Sequence, residues 1–148
     1  MATLHITRGL PGSGKTTYAR KWVARRPIRR VRMNRDDLRM TLFETFSGLT
    51  DAQEKAAHLA EVGAVTALLT AGWDVIVDDT NLRNHFVLEW QTVARRAGAK
   101  FRMHPFFELI DTCVERDRNR APGERVVGEE AIRAMAKTSG FPERVGMD

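Results

Sequence analysis

The chain has 148 residues, 43% of them hydrophobic, and a formal net charge of +5. That length suits one compact domain burying roughly 70% of its unfolded surface, and the basic balance favours an anionic partner without identifying it. There is no apolar run of about 18 residues to span a membrane, no charged-then-apolar leader at the N-terminus, and one cysteine, Cys113, which cannot form an internal disulfide and suits the reducing cytoplasm.

Thr3 to Thr7 reads as a short strand, and it runs straight into GLPGSGKT, residues 9–16. The spacing G-x-x-x-x-G-K-T after a strand and before a helix is that of a phosphate-binding loop. Glycines let consecutive backbone N–H groups converge on phosphate oxygens, and the helix that opens near Lys15 aims its positive end at the same point. Gly9, Pro11, Gly12, Ser13, Gly14, Lys15, Thr16 and Thr17 are therefore the candidate cradle for a nucleoside triphosphate. Lys15 supplies charge to the β- and γ-phosphates, and Thr16 is a candidate ligand for Mg²⁺.

The helix from Lys15 to Arg26 is stopped by Pro27. Nine basic residues fall between Arg20 and Arg39, against Asp36 and Asp37 alone. Such a run is a solvated face in most proteins; beside a phosphate loop it becomes a candidate track for an anionic acceptor. Val31 to Met33 is a second strand, followed by a helix from Arg35 to Phe43 with Asn34 at its N-cap. The loop NRDDLR thus follows a strand's carboxyl end, where ligands bind in open α/β sheets. Either Asp36 or Asp37 is placed to accept a proton from an attacking hydroxyl, or both simply favour the helix N-terminus.

Thr50 and Gln53 have capping-box spacing and start a long helix reaching about Ala71, closed by Gly72. Leu59, Val62, Thr66 and Leu69 form its predicted inward stripe. Val75 to Val77 is a continuous β-branched run, as in a strand buried on both faces of a parallel sheet, and it ends in Asp78 and Asp79. Asn84 is expected to cap the next helix, with Phe86, Trp90 and Val93 facing the core. Phe101 to Phe107 is a last strand, placed at an edge by Pro105. Helices follow from about Leu109 to Arg120 and from Glu129 to Lys137, with APGE as a turn between them. Alternation of strands and helices gives an α/β domain with a mainly parallel sheet. Trp22, Trp73 and Trp90 are read as core or partly covered surface, Cys113 as a buried or inert thiol, and the four histidines have no metal-ligand spacing.

In ERDRNR, Arg116 and Arg120 lie four apart and share a helical face, whereas Arg118 points elsewhere. A pair of arginines can close over a triphosphate and stabilise charge in the transition state, like an arginine finger supplied in cis. The plainer reading is a salt-bridged surface helix.

GLPGSGKTTYAR, NRDDLR, VIVDDTNL, ERDRNR and VVGEEAIRAM occur in this order over about residues 3–137. Together they resemble the kinase domain of phage-type 5′-polynucleotide kinases, which heal DNA and RNA ends. The resemblance implies a P-loop kinase fold with a helical arginine lid. It implies that ATP and a 5′-hydroxyl DNA or RNA end meet in one tunnel, and a host cytoplasm if the chain is phage-encoded. It assigns the general base to Asp36 and the acceptor's phosphate to Arg39. It places Arg35, Asp79, Thr80 and Asn81 on the acceptor side, Thr16 and Asp79 at Mg²⁺, and Arg116 and Arg120 in the lid. Phage enzymes of this kind also carry a phosphatase domain, and no aspartate-x-aspartate signature for one occurs here, so a single kinase domain is expected over 1–148. Which of Asp78 and Asp79 supports the metal stays open. The alternatives are a P-loop kinase of a sugar, nucleoside or antibiotic, and a nucleotide-binding switch without catalysis.

Overall fold

The computed structural model describes residues 1–140. Four strands, β1 (Thr3–Arg8), β2 (Arg30–Met33), β3 (Asp74–Val77) and β4 (Lys100–Pro105), alternate with six helices. These are α1 (Lys15–Arg25), α2 (Arg35–Phe43), α3 (Asp51–Thr70), α4 (Asn84–Arg96), α5 (Ile110–Arg118) and α6 (Glu129–Ser139). The strands form one parallel sheet in the order β2-β3-β1-β4, with Leu4 opposite Val75, Val31 opposite Val75 and Thr3 opposite Lys100. The connection after β1 leads to one side of it and the connection after β3 to the other. The crevice at the carboxyl ends of β1 and β3 is therefore the switch point where such sheets bind ligands.

The expected β-branched run is the centre of the molecule: Val75, Ile76 and Val77 are all fully buried. On one face, Leu4, Ile6, Val75 and Val77 pack with Val65 and Leu69 of α3 and Trp90 of α4. On the other, Ile76 meets Ala19 and Trp22 of α1. A smaller cluster of Leu10, Leu82, Cys113, Val114 and Ile132 seats α5 and α6 beside the phosphate loop. The Asn34 and Thr50 caps form as the sequence indicates, the second as a complete capping box. β4 lies at the sheet edge and ends at Pro105, two residues short of the expected boundary.

Three local expectations are corrected. The buried stripe of α3 is Ala57, Glu61, Val65 and Leu69, while Leu59 is 62% exposed. An i, i+4 row faces the sheet, and a glutamate occupies it because Arg35 meets its carboxyl group there. Asn84 does not cap α4; the N-cap is Arg83, and the Asn84 side chain instead accepts a hydrogen bond from Arg8 at 2.9 Å. Finally, α5 ends at Arg118, so Arg120 lies past the helix in its closing turn, its N–H bonded to Asp117 O.

Candidate active site

At the switch point opens a cavity of about 750 Å³, lined from every side by the segments that carry the sequence motifs. Its floor is the loop between β1 and α1. Gly12 and Gly14 both have left-handed backbone, at φ of 80° and 102°, which glycine adopts without steric cost. Gly12 has a second reason: a Cβ there would come within 2.4 Å of the Cys113 carbonyl oxygen, so only glycine lets α5 pack onto the loop. Pro11, Gly12, Gly14, Lys15, Thr16 and Thr17 line the cavity. Gly9 and Ser13 lie behind them, Gly9 tied by its N–H to Thr80 O at 3.0 Å and Ser13 to Leu10 O at 3.1 Å. Lys15 is buried, and its Nζ donates to Leu10 O at 2.6 Å. Burial lowers its pKa to about 8, with Asp78 opposing that shift.

On the β2 and α2 side, Asp36 and Asp37 are separated by their surroundings. Asp37 is 65% exposed and pairs with Arg32 at 2.8 Å. Asp36 lines the cavity, and its Oδ1 receives Arg39 Nη1 at 2.6 Å and Arg125 Nη1 at 3.0 Å. Arg39 is held from behind by Glu54, which accepts from its Nε and Nη2. The expected basic track is split. Arg20, Arg32, Arg35 and Arg39 line the cavity. Arg25, Arg26 and Arg29 are exposed at and just beyond the far end of α1, about 15 Å along the helix from the loop. A helix that starts at the phosphates carries its last residues away from them, so those three do not flank the cavity entrance.

At the end of β3 the two acids also differ. Asp78 is 1% exposed; its Oδ2 takes Arg32 Nε at 2.8 Å, and its buried Oδ1 has no hydrogen-bond partner. Asp79 Oδ1 accepts the Arg35 backbone N–H at 2.8 Å. Its carboxyl also shares a hydrogen bond with the fully buried Glu61. Burial and the facing Asp79 push Glu61 up to about 9. Two buried carboxyls in contact cannot both ionise, so the pair keeps one proton, on Glu61, while the backbone donor favours a charged Asp79. Arg35 completes the network, reaching Glu61 at 3.0 Å and His58 at 2.6 Å. Thr80 and Asn81 line the cavity, but Asn81 spends its amide inward: Nδ2 donates to Thr7 O and Oδ1 accepts from Trp90. Its left-handed backbone, at φ of 44°, turns the chain from β3 into α4.

The roof comes from α5 and the loop after it. Arg116 donates to Gly12 O at 3.2 Å and stands half-exposed over the phosphate loop. Arg120 also lines the cavity, donating to Arg125 O at 2.9 Å. Arg118 turns away to Glu129. The two arginines singled out in ERDRNR thus meet in one cavity, one from a helix and one from its closing turn, whereas Arg125, Glu54, His58 and Glu61 carried no motif signal in the sequence. Arg125 stands in GERVV, where nothing local marks it; Glu61 was detectable only as the acidic member of an otherwise apolar i, i+4 row.

The AAA domain family model AAA_33 matches residues 4–142. A chain of the solved Pnkp1/Rnl/Hen1 RNA repair complex superposes at a TM-score of 0.82 with 27% identity, over 95% of this chain and 44% of that one. This chain therefore spans less than half the length of that relative. Chaetomium thermophilum Kti12 in complex with ADP-AlF3 matches at 0.67 with 23% identity, over 97% of this chain and 81% of its own. Mycobacterium tuberculosis APS kinase CysC in complex with AMPPNP and APS matches at 0.65 with 19% identity, over 99% and 84%. At those identities the last two likenesses are of fold. Among the described residues no helix is long and apolar enough to cross a membrane. With its phosphate loop at the switch point of a parallel sheet, the chain has the P-loop kinase fold and belongs to the AAA domain family AAA_33.

Proposed function

We propose that the chain transfers the γ-phosphate of ATP to the 5′-hydroxyl end of a DNA or RNA strand, in the cytoplasm. The observation that carries this reading is Asp36: a carboxylate in the same cavity as the phosphate loop, bracketed by two guanidinium groups. In this reading the acceptor's 5′-hydroxyl oxygen attacks the γ-phosphorus while its proton passes to an Asp36 oxygen. The bond from the γ-phosphorus to the bridging oxygen breaks, and ADP leaves with that oxygen. Little covalent chemistry falls to the protein, so positioning and charge stabilisation dominate. Loop N–H groups and Lys15 hold the donor phosphates, Arg116 and Arg120 offset charge from above, and Arg39 meets the acceptor phosphate. The likeness to a chain of an RNA repair complex supports the acceptor class, as does the arginine-lined α2 side of the cavity.

The residues present fit Mg²⁺. The Thr16 hydroxyl and the carboxylates after β3 are hard oxygen donors, the kind this ion takes. The orphaned Asp78 Oδ1 is the one left open, since Asp79 is engaged by Arg35 and Glu61. We therefore assign the metal-facing carboxylate to Asp78, acting directly or through water, with Asp79 holding α2 in place. Bound there, the ion would neutralise phosphate charge.

The test is transfer of labelled γ-phosphate to 5′-hydroxyl RNA, 5′-hydroxyl DNA, nucleoside 3′-phosphates, nucleosides and sugars. Transfer to nucleic-acid ends is expected. Better turnover of a sugar or nucleoside would move the chain among the small-molecule kinases, and no transfer to any acceptor would support a nucleotide switch.

A further inference from the structure

The loop between α5 and α6 is held at its root and laid across the cavity. Asp117, 1% exposed, accepts the backbone N–H of Val127 at 2.9 Å and of Gly128 at 2.8 Å. Arg120 grips the same loop from the cavity side through Arg125 O at 2.9 Å. With its backbone fixed at these points, the loop directs the Arg125 side chain to Asp36, 89 residues away in sequence.

Two guanidinium groups therefore cover one oxygen, Asp36 Oδ1, and they are not equivalent. Arg39 is chelated by Glu54, whose Oε2 lies 2.8 Å from its Nη2, so it stays fixed and neutralised whatever Asp36 does. Among the described residues, Asp36 is the carboxylate that lies within ion-pair distance of Arg125. Arg125 is 30% exposed and faces the cavity. A planar guanidinium that leaves one carboxylate does so for a better anion, and phosphate offers it a bidentate, charge-assisted match. An acceptor carrying a phosphate next to its reacting nucleoside brings such an anion to this spot. An uncharged acceptor does not.

We propose that Arg125 determines acceptor specificity by covering the Asp36 carboxylate until the phosphate that follows the acceptor's 5′-hydroxyl nucleoside draws it away. The inference rests on the reading of Asp36 as the base of a nucleic-acid end kinase. It extends that reading: the acceptor's phosphate acts as a key to the base as well as a handle for binding, and the lid reports on the acceptor because Arg120 and Arg125 share a loop.

The experiment compares adenosine 3′-phosphate with adenosine as acceptors, at saturating ATP and Mg²⁺, for the wild type, Arg125→Gln and Arg125→Lys. The wild type should prefer the phosphate-bearing acceptor strongly. In Arg125→Gln, kcat/KM for adenosine 3′-phosphate should fall by about tenfold or more, the range for losing a hydrogen bond to a charged partner. The loss on adenosine should be much smaller, so that the preference for the phosphate-bearing acceptor collapses, and Arg125→Lys should fall between. A proportional loss on both acceptors would reduce Arg125 to a support for Asp36 and overturn the proposal, as would an unchanged preference. A urea midpoint equal to the wild type's confirms that the variants fold. Direct calorimetric binding of adenosine 3′-phosphate provides a second arm that needs no turnover. If the wild type phosphorylates neither acceptor, the kinase reading of the acceptor fails and this arm alone decides. Weaker binding by Arg125→Gln, about tenfold or more, keeps Arg125 as the phosphate group's partner, and equal binding overturns it.

Discussion

Replacing Asp117 by asparagine tests whether the roof of the cavity is built as described. The carboxylate is 1% exposed and uses one oxygen for Val127 N–H and the other for Gly128 N–H. Asparagine is nearly the same size but has one acceptor oxygen, so its NH₂ group must confront one of the two backbone donors. The loss is one charge-assisted hydrogen bond and the charge facing Arg120 Nε at 3.5 Å, and a buried N–H is left unsatisfied; together these cost about 2–4 kcal/mol. For a domain of this size that is a fall in Tm of roughly 6–15 °C. The control is Asp111→Asn, because Asp111 is 86% exposed and pairs with Arg133 at the surface, where such pairs contribute about 0–1 kcal/mol. Urea denaturation and thermal melts of both variants are the measurement. Freed at its root, the loop should also hold Arg120 and Arg125 less firmly, so turnover of Asp117→Asn should fall even well below its melting point. An Asp117→Asn protein no less stable than Asp111→Asn would refute the claim that this carboxylate anchors the loop.

Asp36→Asn should lower kcat by about 10²- to 10⁴-fold with ATP binding kept, and Asp37→Asn, at a 65% exposed site, should stay near wild type; steady-state rates that reverse this order would transfer the base to Asp37. Glu61→Gln should cost under about 1.5 kcal/mol because the amide replaces a protonated carboxyl beside Asp79, whereas Glu61→Ala strips the Arg35 guanidinium and the Asp79 carboxylate of a buried hydrogen-bond partner each and should cost about 3–5 kcal/mol in urea unfolding. Raising salt should weaken a short 5′-hydroxyl oligonucleotide with a log–log slope of about −0.7 to −1.4, one or two phosphate contacts, and Arg25→Ala with Arg26→Ala should leave that slope unchanged; a slope steeper than about −2 would restore the whole basic run to the acceptor path. Burial, with neighbouring His104, lowers His5 to about 4 from the usual 6.5, so the fold keeps this ring neutral while the unfolded chain takes up the proton. That contribution is complete above pH 6.5 and is lost as pH falls toward 4, on the order of 1–2 kcal/mol after discounting for the ring's partial exposure, and His5→Phe should flatten the change in Tm between pH 7 and 5.

The donor half of the cavity was legible because one contiguous stretch makes it. Strand, glycine loop and helix are fixed by local chemistry, and Gly12 and Gly14 announce the backbone they adopt. The same holds for the caps at Asn34 and Thr50, each a contact across three residues. Apolar periodicity failed on α3 because it counts leucines. Leu59 is mostly exposed, while Glu61 is fully buried by virtue of Arg35, 26 residues earlier, and Asp79, 18 residues later. Asn84 failed as a cap for a similar reason: Arg8, at the end of β1, claims its side chain first.

The acceptor half is assembled from α2, α3, the turn after β3 and the loop after α5, and its sense lies in how their charges match. A net charge of +5 suggests a free basic surface. On the α2 side of the cavity four arginines are instead met by acids: Arg32 by Asp78, Arg35 by the singly charged pair of Glu61 and Asp79, Arg39 by Glu54 and Asp36, and Arg125 by Asp36. Arginine alone would hold an anion and never let it react; acid alone would repel it. A paired set keeps each guanidinium in place at little net charge, and an arriving phosphate exchanges one partner for another instead of creating an unbalanced site. Linear reading counts the cations and misses this, because each pair joins residues that only the fold makes neighbours. Where the pairing is doubled, at Asp36, one of the two cations can leave and the carboxylate keeps the other, and the role proposed for Arg125 in acceptor choice rests on that redundancy.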